Sequence, residues 1–325
     1  MTGKLRAAGC IALALTVVGA GLGSRPAAAQ GKTTIRLVVP FPTGGTTDTL
    51  ARLIAQQAAQ MNGHSVLTEN RVGASTLIAT EYVYRAPPDG STLLLVANSF
   101  VINPLLRAST PYDPFAFEPI CLLVSSPQVF VVNESSPYKT LNSFVMAAKA
   151  RPGDYYYAAV GPGSTQHIAG EMFKRAAQID LTYVPYTGGA PAVNALLGGH
   201  VTAVLTNYSE VMEQIKAGKF RPLAVTTSRR IPPLPDVSTM IELGYAGVEA
   251  SAWFGMVAPP KTSKQAAAQM ITLFKSALDA PELTTKLVAQ GLYPVGSCGA
   301  DFERHLKQQS NAYGRIIKDT NIKLE

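Results

Sequence analysis

The chain has 325 residues, of which 47% are hydrophobic and only 15% charged, a balance that excludes a disordered polymer and leaves room for two ordinary domains. Its formal charge is +7, yet the sequence holds no dense basic run, which excludes a surface built to grip nucleic acid.

The first residues read as a targeting tag. Lys4 and Arg6 precede an almost unbroken small and apolar run from Ala7 to Gly23, and Ala27-Ala28-Ala29 offers the small-residue pattern of a signal-peptidase site. Residues 1–29 are therefore read as a signal peptide cleaved after Ala29, which implies export to the periplasm. Removing Lys4, Arg6 and Arg25 lowers the charge from +7 to +4. Cys121 and Cys298 remain; an oxidising compartment permits a bridge between them, and two buried free thiols are the alternative.

Beyond the tag, apolar runs alternate with helical periodicity. Ile35 to Pro40 reads as a buried strand, followed by the loop Phe41-Pro42-Thr43-Gly44-Gly45-Thr46-Thr47-Asp48 and a helix carrying Leu50, Leu53, Ile54 and Ala58. A strand at Ser65 to Glu69, a helix ending near Tyr84 and a strand at Leu93 to Ala97 follow. Ile120 to Ser125 and Val129 to Val132 look extended, interrupted at Pro127. The alternation then restarts, with strands near Tyr155 to Ala159, Thr182 to Pro185, Val201 to Thr206 and Pro222 to Thr226. Helices fit Leu141 to Ala150, Ser164 to Ala177, Ala190 to Leu197 and Glu210 to Ala217. Three more fit the tail, near Gln265 to Leu278, Glu282 to Gln290 and Asp301 to Lys318. Apolar strands alternating with helices predict an α/β fold with mixed, mostly parallel sheets flanked by helices.

In such folds ligands sit beyond the carboxyl ends of the strands. Those loops hold glycines, hydroxyls and amides: Thr43 to Thr46, Gly73 to Thr76, Asn98-Ser99, Gly161 to Thr165, Tyr186 to Gly189 and Asn207. Free N–H groups in a helix's first turn, together with its dipole, favour an anion without a buried counter-ion. Each tip contributes about 0.3–1 kcal/mol, and each hydrogen bond to a charged group roughly 1.5–3 kcal/mol. Several tips together reach about −8 kcal/mol, the micromolar range. Asp48 is either a brace for the first loop or a simple first-turn acid, and His167 either faces the cleft or makes a structural hydrogen bond.

No phosphate loop, dinucleotide fingerprint or nucleophile elbow is present, and His64, His167, His200 and His305 lack metal-ligand spacing, so neither cofactor nor metal is expected.

The collected motifs resemble the solute-binding proteins of the tripartite tricarboxylate transporter family, often called Bug proteins. The resemblance rests on Val38-Val39-Pro40-Phe41-Pro42-Thr43-Gly44-Gly45 with Asp48-Thr49-Leu50-Ala51-Arg52, Glu69-Asn70-Arg71, Pro88-Asp89-Gly90 and Ile102-Asn103-Pro104. It continues through His167-Ile168-Ala169-Gly170-Glu171, Val184-Pro185-Tyr186, Leu234-Pro235-Asp236-Val237 and Trp253-Phe254-Gly255.

That likeness implies a two-lobed, hinged fold, with lobe 1 from residues 30–126 and 228–325 and lobe 2 from 127–227. It implies a small organic carboxylate ligand, delivery to the large and small membrane subunits of the transporter, and a monomer. Carried over by position, the site is Phe41, Thr43, Gly44, Gly45, Ala74, Ser75, Asn98, Ser164, Thr165, Tyr186, Gly188 and Asn207, to which the residue reading adds Asp48 and His167. Relatives commonly carry an acid where Thr206 stands; its loss points to a dicarboxylate rather than an acidic amino acid. Two rival functions stay open: a periplasmic enzyme acting on a small acid with His167 as base, and a ligand-loaded partner of a sensor kinase.

Overall fold

The computed structural model describes residues 34–62, 65–320 and 322; the expected signal peptide, residues 1–29, and His64 lie outside them. The strands are β1 (Thr34–Val39), β2 (Ser65–Asn70), β3 (Thr92–Ala97), β4 (Glu118–Asn133), β5 (Tyr156–Val160), β6 (Thr182–Tyr186), β7 (Ala203–Asn207), β8 (Phe220–Val225), β9 (Ser251–Ala258) and β10 (Tyr293–Cys298). The helices are α1 (Thr46–Asn62), α2 (Leu77–Tyr84), α3 (Ser99–Leu106), α4 (Leu141–Ala150), α5 (Thr165–Ala177), α6 (Gly189–Leu197), α7 (Tyr208–Lys216), α8 (Lys264–Asp279), α9 (Pro281–Ala289) and α10 (Ala300–Thr320).

One strand joins two sheets. Residues 118–127 of β4 pair antiparallel with β9, and part of that stretch also pairs with β10; residues 128–133 pair antiparallel with β7 and β8. The first sheet thus runs β2-β1-β3-β9-β4-β10, with β1, β2 and β3 parallel, and the second runs β8-β4-β7-β5-β6, with β5, β6 and β7 parallel. The two extended runs read on either side of Pro127 are therefore a single strand. Pro127 ends the pairing with β9, at Ser251, where its missing N–H costs no ladder bond in the second sheet.

Side-chain alternation gives each sheet a core on both faces. Leu37, Val39, Leu93 and Leu95 pack with α1 and α8, whereas Val38, Leu94 and Val96 pack beneath Phe100 of α3 and Phe302 of α10. In the second sheet Phe130, Tyr157 and Leu205 join Phe144 and Phe173, while Val129, Val131 and Val204 join Val193 and Val211. Burying each such side chain stabilises by about 1.5–3 kcal/mol. Leu50, Ile54 and Ala58 form the inward stripe of α1 as their spacing predicts, with Ala51 buried beside them and Leu53 half-buried at its edge.

Two features go beyond the sequence reading. The segment after β8 stays on the second sheet, since Met240, Val248 and Ala250 are buried in the core around Phe130 and Phe173. The chain returns to the first sheet at β9, which pairs with β3 and β4. Second, Cys121 and Cys298 are bonded across the β4–β10 ladder, where they are register partners. Among the described residues no helix is long and apolar enough to cross a membrane.

Candidate functional site

The loops at the carboxyl ends of β1, β2, β3, β5, β6 and β7 meet between the sheets. The first is shaped by Asp48, which is 2% exposed and accepts from the Gly44 N–H, Arg52 and the Asn70 amide, each at 3.0 Å. Burial pushes the Asp48 carboxyl up, but these bonds and the Arg52 charge together hold it below the usual carboxylate range. Asn70 also donates to the Phe41 carbonyl at 3.0 Å, tying the ends of β1 and β2 together. Gly44 permits the turn: its φ of 85° is strained for any residue with a Cβ.

The turn after β2 departs further from ordinary geometry. Ala74, Ser75 and Thr76 have φ of 47°, 54° and 80°, three successive left-handed residues. Such conformations persist only where surroundings enforce them. Here the Asn103 amide donates to the Ser75 carbonyl at 2.7 Å and to the Thr76 hydroxyl at 3.3 Å.

Two adjoining cavities lie between the sheets. The smaller, about 40 Å³, is walled by Phe41, Gly45 and Thr46, by Asn98 and Ser99, by Ser164 to Gln166, by Gly188 and Gly189, and by Asn207 and Glu210. The larger, about 220 Å³, is more apolar, walled by Pro40, Phe41, Val72 to Thr76, Pro162, Pro185 and Tyr186. Phe41, Ser99, Val160 and Ser164 border both. Together they offer a polar end of head-group size and a longer apolar arm.

Helix starts supply the polarity of the smaller cavity. Gly188 precedes α6 and Asn98 precedes α3, and neither caps its helix with a side chain, so first-turn N–H groups stay free. Ser164 does cap α5, accepting from the His167 N–H at 3.1 Å. The Asn98 side chain is engaged behind the cavity: its amide donates to the Tyr313 hydroxyl at 2.8 Å, and its oxygen accepts from the Trp253 N–H at 3.0 Å. Asn98 thus braces the α3 tip, leaving backbone donors for a ligand.

Polar contacts cross from one sheet's loops to the other's. The Thr46 hydroxyl lies 2.8 Å from that of Ser209 and accepts from the Asn207 amide at 3.2 Å; the Gln166 amide in turn donates to Asn207 at 3.2 Å. The Thr46 N–H donates to Glu210 at 3.3 Å, and the Thr206 hydroxyl donates to the same carboxylate. Burial pushes the Glu210 carboxyl above its ordinary range, against the pull of the donors from Thr206, Thr46 and Asn207. Gly189 makes room for it, since a Cβ there would overlap Glu210 Oε2.

Of the residues expected at the site, the structure brings Phe41, Gly45, Ala74, Ser75, Asn98, Ser164, Thr165, Tyr186, Gly188 and Asn207 to the cavity walls. Thr43 and Gly44 are exposed and line neither cavity, because the turn carries them outward. Asp48 also stays off the walls and acts as the brace of its loop. His167 is 6% exposed, stacks on Tyr183 with ring centroids 4.4 Å apart and lies off both walls, a packed side chain in place of a cleft-facing one. Burial lowers its pKa to about 4. Ser99, read among the strand-end loops, lines both cavities, whereas the residue reading did not anticipate Gln166 or Glu210. Of these Glu210 changes the chemistry most, because it places beside Thr206 the charge that the absence of an acid at 206 seemed to remove.

Residues 50–322 match the family described as the tripartite tricarboxylate transporter family receptor. The chain is 32% identical to Protein BugT of Bordetella pertussis over 294 residues, 90% of each chain. The solved periplasmic binding protein BugD is 32% identical, with a TM-score of 0.86 and coverage of 90% of this chain and 99% of BugD. R. palustris Rpa4515, solved with adipate, is 34% identical at a TM-score of 0.86, covering 89% of this chain and 98% of its own. Two sheets joined by β4, a cleft at the strand ends and these matches make one assignment: the chain belongs to the tripartite tricarboxylate transporter receptor family, whose members are two-lobed periplasmic binding proteins.

Proposed function

We propose that the protein captures a small organic carboxylate, foremost a dicarboxylate, between its lobes and delivers it to the membrane subunits of a tripartite transporter. One observation carries this reading: uncapped helix starts at Asn98 and Gly188 face a cavity whose walls hold no Lys, Arg or His among the described residues. Such a site suits an anion held by main-chain donors. The apolar arm suits a methylene chain, and the adipate bound to Rpa4515 supports an acid of that length. Export by the N-terminal tag and action as a monomer in the periplasm belong to the same proposal.

The lobes are drawn as residues 34–126 with 251–322, and 127–250, hinged where β4 and β9 pass between the sheets. Closure moves the Thr46 tip against Asn207, Ser209 and Glu210. A shift from mostly open to mostly closed needs about 5.5 kcal/mol of preference for the closed state, within reach of three charge-assisted hydrogen bonds.

The test is a thermal-shift screen with succinate, adipate, citrate, L-aspartate and benzoate, with NMR inspection of each mixture for product. Stabilisation of about 2.7 kcal/mol at 100 times the dissociation constant, with the acid unchanged, is the expected result. An acid converted to product would favour the enzyme reading. That reading places His167 at the chemistry, although its ring is packed on Tyr183.

A further inference from the structure

Among the described residues Glu210 is the one acid on the walls of either cavity, and it sits in the compartment of head-group size. As the third residue of α7 it reaches back to the Asn207 N–H, as acids at that position do. It also reaches across the cleft, accepting from Thr46, 164 residues earlier. The start of α1, the strongest anion-attracting feature of the first lobe's leading loop, is thus already held by a carboxylate of the protein itself.

No cation balances it. Among the described residues no other titratable group lies on the wall of this compartment. On α1, Asp48 is bonded to Arg52, Gly44 and Asn70; on α5, His167 is stacked on Tyr183; on α7, Tyr208 is buried in the second sheet's core and Glu213 and Lys216 pair with each other. On β6, Tyr186 borders the larger cavity.

A ligand carboxylate entering this compartment meets a second carboxylate within a desolvated space. Two like charges so close do not both stay ionised; one takes up a proton. We propose that Glu210 shares a proton with the head carboxylate of the ligand, so that each capture draws one proton from solvent. The proton binds a carboxylate oxygen of Glu210 or of the ligand and turns two opposed acceptors into one O–H···O pair. Thr46 and Thr206 keep donating to Glu210 in either case. Glu210 is thereby the residue that selects the head group: a carboxyl that accepts this proton fits, as does a hydroxyl or ammonium that donates to the ionised side chain. The burial that already raises the Glu210 carboxyl favours uptake.

This inference rests on the carboxylate reading above, and one titration separates the two. Adipate and succinate are titrated calorimetrically into the protein at pH 7 in phosphate and in Tris, whose ionisation enthalpies differ. The dependence of binding heat on buffer counts protons. About one proton taken up by the native protein, and none by Glu210→Gln, is expected. Affinity for the native protein should also fall about tenfold per pH unit above neutrality, and that of the variant should stay flat. Binding without proton uptake by the native protein, or equal uptake by the variant, overturns the inference and leaves the carboxylate reading standing. No binding of either acid to either protein overturns both.

Discussion

The Thr46 hydroxyl stands 2.8 Å from the Ser209 hydroxyl, joining the first turn of α1 to the first turn of α7 across the cleft. With the Asn207 amide donating to the same oxygen at 3.2 Å, Thr46 is the latch of the closure proposed above. Thr46→Val keeps the size and the backbone N–H but loses both side-chain bonds, each contributing about 0.5–1.5 kcal/mol. The variant is expected to bind adipate roughly tenfold more weakly and to give a larger ligand-free radius of gyration in small-angle scattering. An unchanged radius and affinity would remove Thr46 from the latch.

Asp48 predicts a stability effect away from the ligand. Asp48→Asn weakens the charge-assisted bonds from Arg52 and the Gly44 N–H, a loss of about 1.5–3 kcal/mol in urea unfolding. The sign with pH follows from the lowered carboxyl: its contribution is present above the unfolded value of 3.8 and is lost as pH falls through the folded value. The native–variant difference measured at pH 7 should therefore shrink in strong acid. A difference that grows in acid would contradict the assigned bonds.

His167 sets a second pH dependence. Its pKa falls from 6.5 to about 4 on folding, so between those values the unfolded chain binds more protons and stability rises with pH. Full stability holds above about pH 6.5, and about 3 kcal/mol is lost by pH 4. His167→Phe, which keeps the packing on Tyr183, is expected to flatten that slope in unfolding measured from pH 7 to pH 4. A variant with the native slope would assign the acid sensitivity elsewhere.

The bridge between Cys121 and Cys298 closes a separation of 177 residues, so its loss frees much conformational entropy in the unfolded chain. Replacing both cysteines by serine is expected to cost about 2–4 kcal/mol in chemical unfolding while leaving ligand affinity unchanged. Equal stability of the two proteins would show that the bridge does not form.

The fold was largely legible because its elements are local. The spacing of Leu50, Ile54 and Ala58 announces α1, and the run from Leu93 to Val96 announces a strand buried on both faces. What escaped depends on distant pairing. β10, with Tyr293, Pro294 and Gly296, has little strand character of its own and exists because β4 offers an edge to it. Met240 and Val248 are hydrophobic in any reading; which sheet buries them is a tertiary fact. The strand-end loops marked most of the cavity wall, because Gly188, Ser164 and Asn207 carry helix-start chemistry in their own neighbourhood. Glu210 was hidden for the opposite reason. Within α7 it is an ordinary first-turn acid, and only the fold sets Thr46 before it.

Calorimetric titration of adipate beside adipamide, the same chain with both carboxylates made neutral, addresses the central claim that helix-tip donors hold a negative charge without a buried cation. Micromolar binding of the acid with the diamide at least a hundredfold weaker is the predicted result. Equal binding of the two, or binding of neither, would contradict it.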